Sequence, residues 1–478
     1  MHYFYIKISK MKKQLLFTLL GAVLCGDTFA QNWFPVGKPH FSAGDADYSS
    51  IVIGKNDTPF VVYADFSSGG NPTVMKYDGS AWVGVGNPGF SNGLLPTIAA
   101  APDGTLYVVY EEPSGRFNGP ATVMKFNGSN WVTVGNPGFT LQDAEQPKIV
   151  VDKDGTPYVA YVGIDSSSVA YGLVTVMKYN GTNWVTVGSP GFSNGVAAFT
   201  SIAIDAHGVP FVAYDDGANG SKATVMKYNG SSWVNVGSAG FSAGNAGKVD
   251  IAIAKDGTPY VVYEDRGLYL GTIFLDGRAS VMKYNGSSWV NVGTPGFSAG
   301  DHIDYPSIAI DTNGTQYVVY EDVPTPTSDY APATSMKYDG STWVTVGNAG
   351  FSVEGVTSTS MAIDGSGALY VVYARQEVSS GHATVMKYGT NAGVKTLTNS
   401  TTTDIAAFPN PNNGSFTVNL PNGLPAQITV TNIVGQKVKE FATGGDNTID
   451  ITLNQPPGVY LMTILINDSK TTRKIVVE

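Results

Sequence analysis

Ala223-Thr-Val-Met-Lys-Tyr-Asn-Gly-Ser-Ser-Trp-Val-Asn-Val-Gly237 is the stretch that decides the fold, because near copies of it recur along the chain. Two segments of alternating apolar residues flank Asn229-Gly230, a strong short-range hairpin signal. Trp occurs at 33, 82, 131, 184, 233, 289 and 343, with spacings of 49, 49, 53, 49, 56 and 54 residues. After each Trp segment comes a loop such as Gly240-Phe-Ser-Ala-Gly244. Next is an apolar run like Ser201-Ile-Ala-Ile-Asp205, a Gly turn, and Tyr260-Val-Val-Tyr263 or a near copy. A variable loop then leads into the next hairpin.

Each unit therefore offers four short strands: a (Ile-Ala-Ile), b (Tyr-Val-Val-Tyr), c (Val-Met-Lys-Tyr) and d (Trp-x-x-Val-Gly). Val261 and Tyr263 alternate with Tyr260 and Val262, so strand b is apolar on both faces. A sheet of that kind needs cover on both sides, and stacking blade on blade around an axis supplies it. Ala203, Ala252, Ala309 and Ala362 recur in the middle of strand a, where a converging wedge has least room, so a is placed innermost and d outermost. Strand d appears first at Trp33, before any other strand, and the last unit ends at Tyr388 with no Trp after it. The first strand can thus complete the last blade. The expectation is an all-β, seven-bladed β-propeller over 31–388, with no open edge.

Residues 389–404 are rich in Thr, Asn and Gly and read as a linker. Beyond it, Ser415-Phe-Thr-Val418, Ile428-Thr-Val-Thr431, Ile449-Asp-Ile-Thr-Leu453 and Tyr460-Leu-Met-Thr-Ile464 predict a small β-sandwich over 405–478. Phe408-Pro-Asn-Pro-Asn-Asn-Gly414, Asn432-Ile-Val-Gly-Gln-Lys-Val438, Pro457-Gly-Val-Tyr460 and Lys474-Ile-Val-Val477 follow in order. With them this segment resembles the type A C-terminal sorting domain of the Bacteroidetes type IX secretion system. The resemblance implies Sec export, passage across the outer membrane by the type IX machinery, and a product released or held at the cell surface. It says nothing of the cargo's chemistry. At the other end, Lys12 and Lys13, the apolar run Leu15–Leu24 and Thr28-Phe29-Ala30 read as a signal peptide over 1–30, too short to span a bilayer. The alternative, a lipoprotein anchored through Cys25, fits poorly with Leu24 before the cysteine. Cys25 is the chain's only cysteine, so cleavage at Ala30 leaves no thiol for a disulfide, a metal site or a nucleophile.

Charged residues make up only 14% of the chain, below the roughly 25% usual for soluble domains. The net charge of −10 argues against nucleic acid as a partner. The a–b and c–d turns are uniform. The d–a and b–c loops share the opposite rim and vary in length, with an insertion at 271–279 and a Pro-rich stretch at 322–332, so ligand binding is expected on that face. Acidic residues recur there at the end of strand b: Asp65, Glu111, Glu112, Asp215, Asp216, Glu264, Asp265, Glu321 and Asp322. They are either a carboxylate ring for sugar hydroxyls or Ca²⁺, or solvated strand ends paired with the Lys present in every c strand. No calcium-loop motif supports the ion, and no cofactor is expected. Phe90, Phe192, Phe241, Phe297 and Phe351 of the d–a loops either wall repeated shallow pockets or plug the gaps between blades. The seven Trp either line sugar sites between blades, stacking on pyranose rings, or pack at the one repeated position they hold just after a hairpin turn.

Catalysis finds less support. The propeller's Arg residues, 116, 266, 278 and 375, are scattered, and His40, His207, His302 and His382 lack metal-ligand spacing. Near-uniform blades argue for repeated sites or none; blade five, with its insertion at 266–279, is the place where symmetry could break. The reading is a secreted or surface-exposed, lectin-like or adhesive propeller whose partner is a glycan or other extracellular macromolecule. The alternative is a glycan-active hydrolase or lyase using the acidic rim.

Overall fold

The computed structural model describes residues 32–389 and 407–478, apart from 115–116, 165–171, 268–276, 301, 326–327, 329–330, 353–354, 376–380, 421–425, 433–435, 445–447 and 467–468. The leader, nearly all of the linker and most of the 271–279 insertion fall outside the described residues. The chain divides into two compact units between residues 391 and 392.

Blade four shows how the repeat folds. Strands a (Ala197–Ile204), b (Pro210–Asp216), c (Lys222–Tyr228) and d (Trp233–Asn235) pair in that order, each antiparallel to the next. At the c–d turn Asn229 Oδ1 accepts the backbone N–H groups of Ser231 and Ser232, at 3.0 and 2.9 Å, while Gly230 takes a φ of 100°. That is the turn chemistry Asn-Gly encodes. The same a-b-c-d sheet forms in six further blades, whose a strands are Ala46–Ile53, Leu94–Ala100, Asp143–Val151, Ala246–Ile253, His302–Ile310 and Val356–Ile363. Blade seven takes its d strand from the N-terminus: Asn32–Pro35 pairs with Ala383–Gly389, with Trp33 opposite Tyr388. Neighbouring a strands lie side by side around the whole circle and line a central channel.

The core consists of layers between blades. Phe211, Ala213, Val225 and Val236 of blade four meet Ile251, Val261, Tyr263, Met282 and Trp289 of blade five. Strand b, covered on both faces, is the most buried element: Val261 and Val262 are wholly inaccessible and Tyr263 nearly so. Each Trp indole N–H donates to the Val carbonyl of the preceding blade's d strand, at 2.6–2.7 Å, in all seven blades. Gly237, just beyond such a Val, has a φ of +73°, and a Cβ there would sit 2.8 Å from the Tyr284 ring and 3.1 Å from Trp289 Cδ1. A side chain at that point would hold the next blade off.

The C-terminal unit is a sandwich of two sheets. Strands 407–408, 415–419 and 448–452 form one, and 437–442, 427–432, 458–466 and 469–477 form the other. Phe416, Val418, Ile428, Val430, Ile451, Met462, Ile464 and Ile475 fill it. Their period-2 spacing puts one face of each strand inside.

Trp33 is the residue through which the two ends of the ring meet. Trp33→Ala should therefore cost about 3–5 kcal/mol, as for other buried Trp truncations. Urea denaturation of the variant against wild type measures this.

Candidate functional site

Every strand a breaks register with strand b once, near the end that faces the loop rim, at 47/50, 94/97, 145/148, 198/201, 247/250, 304/307 and 357/360. Inside each break one residue adopts the left-handed conformation: Tyr48, Leu95, Gln146, Phe199, Lys248, Tyr305 and Ser358, with φ between 42° and 60°. Such bulges bend a strand and re-aim a side chain. None of the seven is Gly, so the packed ring, rather than intrinsic preference, holds the conformation. The innermost strands thus present seven equivalent but chemically different side chains around the channel mouth, in blades that are otherwise almost alike.

The acidic residues at the end of strand b divide by strand face, because neighbours on a strand point to opposite sides. The second of each pair is structural. Asp65, Glu112, Asp216, Asp265 and Asp322 accept from the Thr or Ser hydroxyl that opens strand c, at 2.5–3.1 Å. Each of those hydroxyls in turn accepts a Gly N–H from the following d–a loop, at 2.6–2.9 Å. This relay ties three segments of the loop face together. The lysines of strand c are not the partners of these acids. Lys227 and Lys283 pair with the second residue of strand b, near its opposite end, and lie over the rings of Phe211 and Tyr260 at 5.9 Å.

The first of each pair, Glu111, Asp215, Glu264 or Glu321, stands opposite the strand-a bulge of its own blade. Glu111 Oε1 accepts the Gln146 N–H of the next blade at 2.6 Å, and Glu321 Oε1 accepts the Ser358 N–H at 2.7 Å. These carboxyls brace neighbouring bulges. Burial pushes Glu111 up to about 8, with Glu145 close by adding to the rise. Burial raises Asp215 to about 6 and, with Asp304 adding to it, lifts Glu321 well above the usual carboxylate range. At neutral pH Glu111 is therefore largely uncharged and carries an O–H.

Sequence reading passed over the strand-a residues that complete the mouth. Lys248 pairs with Asp304, and its ammonium lies 4.1 Å from the centre of the Tyr305 ring. Arg266 Nη2 bonds Glu264 at 2.9 Å. Asp47 Oδ1 accepts the Ser358 hydroxyl at 2.9 Å and the Tyr48 N–H at 2.8 Å. Tyr48 and Tyr305 remain 41% and 39% exposed, so both rings are open to a ligand. Two residues past each bulge a further ring lines the channel: Ser50, Thr97, Lys148, Ser201, Asp250, Ser307 and Ser360. Two charged residues among five hydroxyls at one repeat position is a signal the sequence does contain.

The Phe residues of the d–a loops act as plugs. Phe90, Phe192, Phe241, Phe297 and Phe351 stack face to face on the Trp of the next blade, at 4.0–4.5 Å between ring centres. Phe41 and Phe139, which the Gly-Phe-Ser pattern missed, do the same on Trp82 and Trp184. The slots between blades are thus filled by the protein's own rings. Among the described residues no three His, Cys, Asp or Glu side chains gather where a metal ion could sit.

The family model of the secretion system C-terminal sorting domain matches residues 406–478. The tail belongs to that domain family, which marks the chain for export to the cell surface or extracellular space. No helix among the described residues is long and apolar enough to cross a membrane. No curated protein matches the chain. Among solved structures, an ulvan lyase from a polysaccharide lyase family shares 12% identity, over 74% of this chain and 95% of its own, with a TM-score of 0.48. A Trypanosoma rangeli sialidase mutant with trans-sialidase activity shares 12%, over 93% and 88%, at 0.44. An Aleuria aurantia lectin mutant shares 14%, over 65% and 97%, at 0.42. Likenesses this distant say nothing of what this chain binds.

The raised Glu111 carboxyl carries a pH prediction. Between its ordinary 4.5 and about 8, the folded state keeps a proton that the unfolded chain has lost, so stability falls as pH rises through that window and levels off above it. Glu111→Gln keeps the oxygen that accepts from Gln146. Relative to wild type it should gain roughly 3–5 kcal/mol between pH 5 and pH 9, from about 1.36 kcal/mol per pKa unit. Urea titrations of both proteins at the two pH values measure the difference.

Proposed function

We propose that this chain is an exported carbohydrate-binding propeller that takes a saccharide at one site, the loop-face mouth of the central channel. The observation that carries this reading is the pair of exposed Tyr48 and Tyr305 rings, set on equivalent bulges of strand a in blades one and six. Aromatic faces cover the apolar side of a sugar ring, while Ser or Thr hydroxyls bind its hydroxyls, and such mixed lining is what orients a small polar ligand. Symmetry argues for a single site, since the residues that differ between blades collect here. Binding is favoured over bond cleavage because the free Oε2 atoms of Glu111 and Glu145 are closed off from solvent and from any substrate.

A glycan panel screened against the purified chain should give saturable binding with one site per chain. Tyr48→Ala and Tyr305→Ala should each weaken it about tenfold or more, roughly 1.4 kcal/mol, while the loop-rim Phe66→Ala leaves it unchanged. Stoichiometry near seven, or release of new reducing ends or unsaturated products from any glycan, would replace this reading with a multivalent or a catalytic one.

A further inference from the structure

Lys148 stands apart from every other cation at the channel mouth. Lys248 and Arg266 end in ion pairs with Asp304 and Glu264. Lys148 makes no ion pair or hydrogen bond with any described residue. It lies deep in the protein yet keeps some surface open to the channel. Its electrostatic neighbours are Asp250, two blades further round, and Glu111 of the preceding blade. Neither forms an ion pair with it at contact distance. Asp250 already accepts the Ser201 hydroxyl at 2.6 Å and the backbone N–H groups of Ile251 and Ile308, at 3.0 and 2.9 Å. Glu111 is braced against Gln146 and holds its proton at neutral pH. Glu145, the remaining acid nearby, is likewise raised by burial. Burial disfavours the charged form of Lys148, and a ligand that brings a negative charge within hydrogen-bond reach recovers that cost.

The surroundings suit an anion. At the Lys148 position five other blades carry Ser or Thr. Ser360 Oγ accepts the Ile51 N–H at 3.4 Å and keeps its proton to donate, and the Ser50 and Ser307 hydroxyls make no hydrogen bond with described residues. Of the acids nearby, Glu111 is held up to about 8 and so carries no full charge at neutral pH, and burial raises Glu145 and Asp250 as well.

We propose that Lys148 is the anion-binding residue of the channel, and that the saccharide taken at the mouth is an acidic one whose carboxylate or sulfate group reaches down to it. This rests on the reading of the mouth as a glycan site. A charge-assisted hydrogen bond in such surroundings favours the anionic ligand strongly over its neutral counterpart.

The test is titration calorimetry of the full chain with oligogalacturonate, with a sulfated galactan oligosaccharide, and with the carboxyl-reduced and desulfated forms of each. One acidic ligand should bind at least about tenfold more tightly than its neutral counterpart, and which one does so distinguishes carboxylate from sulfate. Lys148→Ser installs the residue that blades one, four, six and seven carry, so it suits the repeat. It should bring the acidic ligand down to the neutral one's affinity and leave the neutral one unchanged. Equal binding of acidic and neutral forms by wild type would overturn the proposal. So would a preference that survives in both Lys148→Ser and Lys148→Met. Should no saccharide bind, the mouth reading fails and the channel is judged alone by thermal shift with sodium glucuronate and inorganic sulfate. A rise in Tm in wild type that Lys148→Ser lacks then upholds the anion site, and equal behaviour of the two proteins rejects it.

Discussion

The indole N–H of each Trp, bonded to a Val carbonyl one blade back, is the joint on which the molecule depends. It is a directional bond in a buried setting, where an unpaired donor would cost a few kcal/mol. The direction of the bond, together with the Phe ring stacked on the indole and the Gly that lets the ring approach, fixes the angle between blades as well as their separation. Repeated around the circle, that angle sets how far the a strands stand from the axis, and with it the width of the channel. The geometry of the mouth is therefore decided at the outer edge of the propeller, strands away from the residues that line it.

The fold was open to reading because its signals are local and repeated: Asn-Gly turns, alternating apolar strands, and a Trp every 49–56 residues. The site was less so. The acidic run at the end of strand b looks like one ring in sequence, and only register shows that Glu111 and Glu112 do different jobs. The bulges leave no trace at all. Tyr48, Leu95, Gln146, Phe199, Lys248, Tyr305 and Ser358 have no residue type common to all, and left-handed backbone is ordinarily announced by Gly or Asn. Here tertiary packing overrides that preference seven times. Phe41 and Phe139 escaped because His40 and Thr140 break the pattern by which the other plugs were found. Lys148 and Asp250 were legible in principle, as departures at one aligned position, but they sit in strand a, whereas loops are where repeat proteins usually keep their function.

Scaffold and specificity are thus separated within a single strand. The Ile-Ala-Ile part of strand a packs between blades and stays apolar in every copy, while the bulge residues just before it differ widely in size and polarity. Because the backbone at the bulge is imposed by the ring, a side chain there can change without altering the conformation that presents it. Seven such positions around one mouth make a surface that can be re-specified residue by residue while every joint between blades stays the same.

Closure of the ring by the first strand has a bearing on the order in which the molecule can form. Asn32–Pro35 pairs with a strand that ends at Gly389, so a chain emerging N-terminus first carries an orphan strand until almost the whole propeller has followed it. The entropy of joining such distant ends grows only with the logarithm of their separation, so the delay is one of time rather than of equilibrium. Until then two open sheet edges, that of strand d and that of the waiting strand c, are exposed to any other extended chain. The sorting domain follows the closing strand in the sequence. A machinery that recognises this tail therefore meets its cargo only once every blade has been delivered, and the address is read last, on a chain that already contains all it needs to seal itself.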